Sequence, residues 1–114
     1  MDIPRGISVT LTTASTAYQL SALLITADAE FQQLLNRKEL RCQQVVIQNP
    51  LTAGGTRVYV GNDDVTATNQ GSELAAGIGV PLGFFTGANP VNLANIWLMA
   101  STDNAKVNVW VFEL

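Results

Sequence analysis

The sequence predicts an all-β domain, a two-sheet antiparallel β-sandwich or jelly roll of seven to eight short strands, with one short helix near residues 27–36. Three observations lead there. β-Branched clusters recur between Gly, Pro, Asn and Asp punctuation at roughly 8–12-residue spacing. Several segments alternate apolar and polar residues with the period of a half-buried strand. Apolar residues make up 47% of the chain and charged residues only 13%, about half the usual charged share. A low-charge surface suits a β domain with neutral polar faces, and equally a domain covered by its own copies or by a partner.

Residues 1–6 read as an N-terminal arm, with Pro4 and Gly6 discouraging regular structure, and residues 7–114 as a single domain. Ile7, Val9 and Leu11 alternate on the core face of a first strand, and Tyr18, Leu20 and Ala22 suggest a second over 17–24. Phe31, Leu34 and Leu35 lie at i, i+3 and i+4, preceded by Asp28 and Glu30 and followed by Arg37 and Lys38, which predicts the helix. So short a helix needs a sheet to pack on.

The stretch 42–65, CQQVVIQNPLTAGGTRVYVGNDDV, reads as strand, wide turn, strand, tight turn. Strands are expected over 39–48 and 56–61, the second with Val58 and Val60 on one face and Arg57 and Tyr59 on the other. The loop 50–55 between them is long enough to project. A turn around Asn69-Gln70-Gly71 follows. Then Ile78, Val80, Leu82 and Phe84 alternate with small residues and Pro81, the pattern of an edge strand or a closely approached one. Ile96, Leu98 and Ala100 share one face of the next strand. Val107, Val109 and Val111 share one face of the last, opposite Asn108, Trp110 and Phe112. The last two strands are expected to form a hairpin across 101–104.

Composition limits the chemistry. The chain has no His and one Cys, so the usual zinc sites, a Ser-His-Asp triad and a Cys-His pair cannot be built from it. Cys42 cannot form an intrachain disulfide and reads as a small apolar core residue. Ala53-Gly54-Gly55-Thr56 precedes a strand and lacks the lysine of a phosphate loop. Asp63 and Asp64 are adjacent, so their side chains diverge on an extended chain. They do not form the converging carboxylate pair of a glycosidase, nor match a calcium loop. With Asn62 they read as turn formers. No catalytic, metal or cofactor site is expected, and the chain is read as not an enzyme.

Six Lys and Arg, scattered in a chain of net charge −3, give no basic patch for a phosphate backbone, so no nucleic-acid partner is expected. No apolar run reaches the roughly 20 residues of a membrane span. Residues 1–5 lack the apolar run of a secretory leader, in keeping with synthesis in a cytoplasm.

The aromatic residues carry the remaining signal. Trp110 and Phe112 make the last strand apolar on both faces, and Trp97 on the preceding strand could join them. Such a face needs covering. A subunit interface, a sugar-stacking platform and simple burial as a central strand all answer that need. Tyr59, Trp97, Trp110 and Phe112 are therefore the candidate contact residues.

The run 45–82 resembles small structural proteins of tailed bacteriophages. The matching pieces are Val45-Val46-Ile47-Gln48-Asn49, Val58-Tyr59-Val60-Gly61, Val65-Thr66, Gly71 and Leu74-Ala75-Ala76-Gly77, with Asn95-Ile96-Trp97 and Lys106-Val107-Asn108-Val109 near the end. The resemblance spans about residues 40–114. It implies a non-enzymatic virion component, most directly a decoration (cement) protein on the capsid surface. Its partner would be the major capsid protein, and homo-oligomers, trimers in particular, would be expected. The alternative it leaves open is a tail- or fibre-associated module that binds a carbohydrate or receptor.

Overall fold

A computed structural model describes residues 4–27, 41–42, 44–83 and 91–112. They form an antiparallel sandwich. The strands are β1 (Pro4–Leu11), β2 (Tyr18–Gln19), β3 (Arg41–Cys42), β4 (Gln44–Gln48), β5 (Val58–Gly61), β6 (Ser72–Leu74), β7 (Gly79–Gly83), β8 (Val91–Asn92), β9 (Trp97–Ala100) and β10 (Ala105–Phe112). Sheet A has the order β1-β10-β4-β7, sheet B the order β2-β9-β5-β6, and β3 pairs with β8 in a separate two-stranded piece.

The pairings nest: β1 with β10, β2 with β9, β3 with β8, β4 with β7 and β5 with β6. A long hairpin folded over on itself gives this order, with β10–β4 and β9–β5 closing the two sheets. Of the two architectures the sequence left open, this is the jelly roll, with four strands in each of its two sheets.

The core lies between the sheets and follows from the alternation. Val45 and Ile47 of β4, Val58 and Val60 of β5, Leu98 and Ala100 of β9, and Val107, Val109 and Val111 of β10 all point inward and are buried. Each large aliphatic side chain removed from water contributes about 1.5–3 kcal/mol before conformational entropy is counted.

Several expectations are corrected. The stretch 17–24 is not a strand throughout. Only Tyr18 and Gln19 are extended, and α1 (Leu20–Ala27) starts at the next residue. Its buried residues Leu20, Ser21 and Leu24 are spaced for a helix, and Thr26 Oγ1 donates to Ala22 O one turn back. The alternation of Tyr18, Leu20 and Ala22 spans too few residues to separate the two periods. Of the helix read over 27–36, only Ala27 is described, and it ends α1. The rest lies outside the described residues.

Strand β1 begins inside the stretch read as an arm. Pro4, Arg5 and Gly6 pair with Phe112, Val111 and Trp110. A proline is tolerated there because it opens an edge strand. At the other edge, β7 starts at Gly79, and Ile78 stays outside the strand and 53% exposed. The last two strands do not pair as a hairpin: 101–104 carries the chain from β9 in sheet B to β10 in sheet A. The loop after β4 makes the same crossing to β5.

Asn49 anchors that second crossing. It is fully buried, and its Nδ2 donates to Thr56 O and Leu74 O, each at 2.9 Å. Its backbone N donates to Ile78 O, and its carbonyl accepts from Gly77 N. This one residue therefore ties the end of β4 to the end of β6 and the approach to β5 through its side chain, and to the approach to β7 through its backbone.

Candidate functional site

The outer face of sheet A is built by the residues that alternate with the core. Register places Gly6, Trp110, Val46 and Pro81 in one row across all four strands. The adjoining row is Ser8, Asn108, Gln48 and Gly79, and beyond it Thr10 faces Lys106. Lys106 is the only charged residue among these described positions. Trp110 is 48% exposed. Its ring stacks with Phe112 at a centroid distance of 6.5 Å and an interplanar angle of 27°.

The six-membered ring of Trp110 lies beside Gly6 of β1. A Cβ on Gly6 would stand 3.5–3.7 Å from three carbons of the indole. These are ordinary van der Waals separations, so the space between ring and strand would hold a methyl group. Next to this apolar row, Asn108 Nδ2 donates to Gln48 Oε1 at 3.4 Å, and Gln48 Nε2 donates to Gly77 O. The face thus joins an apolar half to a neutral polar half, the composition of an interface core beside its rim.

The four candidate contact residues divide between two faces. Trp110 and Phe112 share the open face of sheet A. Tyr59 and Trp97 lie on the outer side of sheet B, where Tyr59, Val65 and Met99 form a second small core with Ala17 and Trp97 packed against it. Tyr59 is 7% exposed and presents no contact surface. It is withdrawn because the turn after β5 folds back: Val65 N donates to Asn62 O, and Gly71 N to Val60 O. The alternation of β5 showed which way Tyr59 points but not that Val65 covers it. Val46 and Pro81, beside Trp110, were missed because neither stands out until register aligns the strands. Leu51, 81% exposed in the loop after β4, is a further apolar group on the surface.

Asp64 and Asp103 take part in turn and loop hydrogen bonds, Asp64 through its backbone and Asp103 through its carboxylate. Asn62 Oδ1 accepts from Asp64 N, and Asn69 Nδ2 donates to Asp64 O. Asp103 Oδ1 accepts from Ala14 N at 2.8 Å, joining the loops after β1 and β9. Among the described residues, no three acidic or cysteine side chains gather as metal ligands. Cys42 is buried, and burial pushes its thiol up to about 12. It is therefore a protonated core group at neutral pH, not a nucleophile. Among the described residues, no helix is long and apolar enough to cross a membrane.

A shallow cleft of about 390 Å³ opens beside Trp97, lined also by Asn62, Asp63, Ala94 and Asn95. The side chain of Asn92 caps the 3₁₀ turn Leu93–Asn95 by accepting from Ala94 N, which fixes one wall of this cleft.

Fold and surface together define a jelly-roll domain with an aromatic-centred sheet face on which Lys106 is the only charged residue among the described positions. No family model matches the chain, and no curated protein matches it. Among solved structures it aligns with IMPa from Pseudomonas aeruginosa in complex with an O-glycopeptide, at 13% identity and a TM-score of 0.45, over 96% of this chain and 12% of that one. It also aligns with the Kashmir bee virus empty particle at acidic pH, at 14% identity and a TM-score of 0.48, over 98% of this chain and 76% of that one. The chain thus spans only a small part of the IMPa chain. Likeness at this level assigns it no activity, substrate or partner.

Proposed function

We propose that this chain is a non-enzymatic structural component of a virion, a decoration (cement) protein that binds the capsid surface of a tailed bacteriophage through the outer face of sheet A. The observation that carries the reading is the row Gly6, Trp110, Val46 and Pro81 with Phe112 beside it, an apolar strip on a face where Lys106 is the only charged residue described. Exposed tryptophan on a flat neutral surface is the kind of group that anchors protein interfaces. The jelly roll is an architecture of viral capsid domains, as well as of lectins and cupins. The sequence resemblance over about 40–114 points the same way. The partner is the major capsid protein. Copies, as trimers in the preferred arrangement, combine modest contacts into tight binding by avidity. Mixing the purified protein with undecorated heads and sedimenting them tests the reading. Co-sedimentation at a fixed ratio to capsid subunits supports it, and a folded monomer that stays in the supernatant contradicts it.

A second reading has its own observation, the cleft at Trp97. An indole flanked by Asn62, Asp63 and Asn95 can stack on a sugar ring while the amides and carboxylate take its hydroxyls. A carbohydrate-binding module on a tail or fibre would use it. Glycan-array binding lost in Trp97→Ala and kept in Trp110→Ala favours this reading over the capsid one.

A further inference from the structure

Strand register sets the surroundings of Trp97. On β9 it pairs with Gly61 of β5 on one side and with Gln19 of β2 on the other. Gly61 brings no side chain beside the indole. A Cβ there would stand 3.2 Å from Cγ2 of Val65, which shares the small core that Trp97 packs against. The amide of Gln19 is tied down, its Nε2 donating to Ala94 O at 2.9 Å.

Directly after Gly61 the chain turns and brings Asp63 to the cleft. Asp64 N donates to Asn62 Oδ1 at 3.1 Å, Val65 N to Asn62 O at 3.0 Å, and Asn69 Nδ2 to Asp64 O at 3.0 Å. These bonds hold the turn without using the carboxylate of Asp63, which is exposed. Ala94 and Asn95 line the cleft from the capped 3₁₀ turn.

Indole and carboxylate make different demands on one ligand. The indole takes the C–H face of a sugar ring and also attracts a cation held near it. The carboxylate accepts a charge-assisted hydrogen bond from an ammonium group, a stronger bond than one from a hydroxyl. It repels a second carboxylate. Asp63 carries the only charge among the described lining residues, and Asp64 follows it in the same turn. The local field therefore favours a cationic ligand over a neutral one, and a neutral one over an anionic one.

We infer that the ligand of this cleft is an amino sugar, whose ring stacks on Trp97 and whose ammonium group pairs with Asp63. The inference rests on the carbohydrate reading of the cleft and names the class of sugar.

The probes are the methyl glycosides of glucosamine, N-acetylglucosamine, glucose and glucuronic acid, each titrated into the ¹⁵N-labelled protein at low salt and about pH 6. Saturable amide shifts are expected over 61–64 and 93–97. The glucosamine form should bind about fivefold more tightly than the glucose and N-acetyl forms, the gain of a partly exposed ion pair. The glucuronide should bind most weakly, and added salt should narrow these gaps. Asp63→Asn keeps the shape of the side chain and should bring the glucosamine and glucose forms level, with the unfolding midpoint unchanged. Equal binding of those two forms to the parent, tighter binding of the glucuronide, or a preference that survives Asp63→Asn overturns the inference and leaves the carbohydrate reading standing. No saturable shift with any of the four at tens of millimolar overturns both. Neither result bears on the capsid test, which reads the outer face of sheet A.

Discussion

The indole of Trp110 lies beside Gly6, with Cη2 3.5 Å, Cζ3 3.6 Å and Cε3 3.7 Å from the point where a Cβ of that glycine would stand. The contact joins the first described strand to the last and turns a half-exposed ring into a flat surface. The energetic role of Trp110 in the isolated chain is small for the same reason, because one side of the ring is already in water.

Trp110→Ser should therefore lower stability by about 1 kcal/mol or less while removing most of the binding to capsids. Gly6→Ala should be tolerated, since 3.5 Å is an ordinary van der Waals separation. Chemical denaturation and co-sedimentation with heads, run on the same two variants, separate folding from association.

Tyr59→Ala should behave in the opposite way. Tyr59 is buried with Val65 and Met99, so its removal opens a cavity costing about 3 kcal/mol or more. Capsid binding by the fraction that stays folded should be unchanged. A drop in the urea midpoint at constant slope is the expected signature.

Asn49 offers a sharper test of the fold. Asn49→Ala leaves the buried carbonyls of Thr56 and Leu74 without their shared donor, at a cost of about 2–4 kcal/mol. Asn49→Asp should be worse at neutral pH, because a carboxylate would face two carbonyl oxygens. Part of the Asp variant's loss should be regained as acid protonates it, read as a rise in its denaturation midpoint from pH 7 to pH 4.

Alkaline pH should expose the burial of Cys42. Its thiol is raised from an ordinary value of 9.0 to about 12 in the folded chain. The folded state thus holds its proton where the unfolded state releases it. The stabilising contribution is complete below pH 9 and is lost as pH climbs toward 12. Tyr18 opposes this trend, since its hydrogen bond with Thr12 lowers its hydroxyl. Comparison with Cys42→Ala, which keeps Tyr18, isolates the thiol: the variant should lose less stability than the parent between pH 9 and 11. Thiol titration of the native protein should be slow until denaturant is added.

How much of this was legible in the residues depends on the distance over which each feature is decided. Facing direction is local. Val107, Val109 and Val111 turn inward and Trp110 and Phe112 outward, as the alternation of β10 predicts. Pairing is not local. Nothing within 101–104 distinguishes a hairpin from a crossing between sheets, because either connection puts the same apolar residues in the core. The row of Val46 and Pro81 beside Trp110 depends on that pairing, so it stayed hidden. Burial of Tyr59 depends on Val65 folding back, which hydrogen bonds from the turn to Asn62 and Val60 decide. The short segment from Tyr18 onward failed for another reason: a few residues of apolar spacing fit a strand and a helix equally well.

The central claim is that the Trp110 face binds a capsid surface. The most direct measurement is equilibrium sedimentation of undecorated heads with parent protein and with Trp110→Ser, both confirmed as folded. The account predicts saturable, stoichiometric binding of the parent and at least about a thirtyfold loss in the variant, as for a hot-spot tryptophan. Equal binding of the two proteins, or no binding of the folded parent at micromolar concentration, would contradict it.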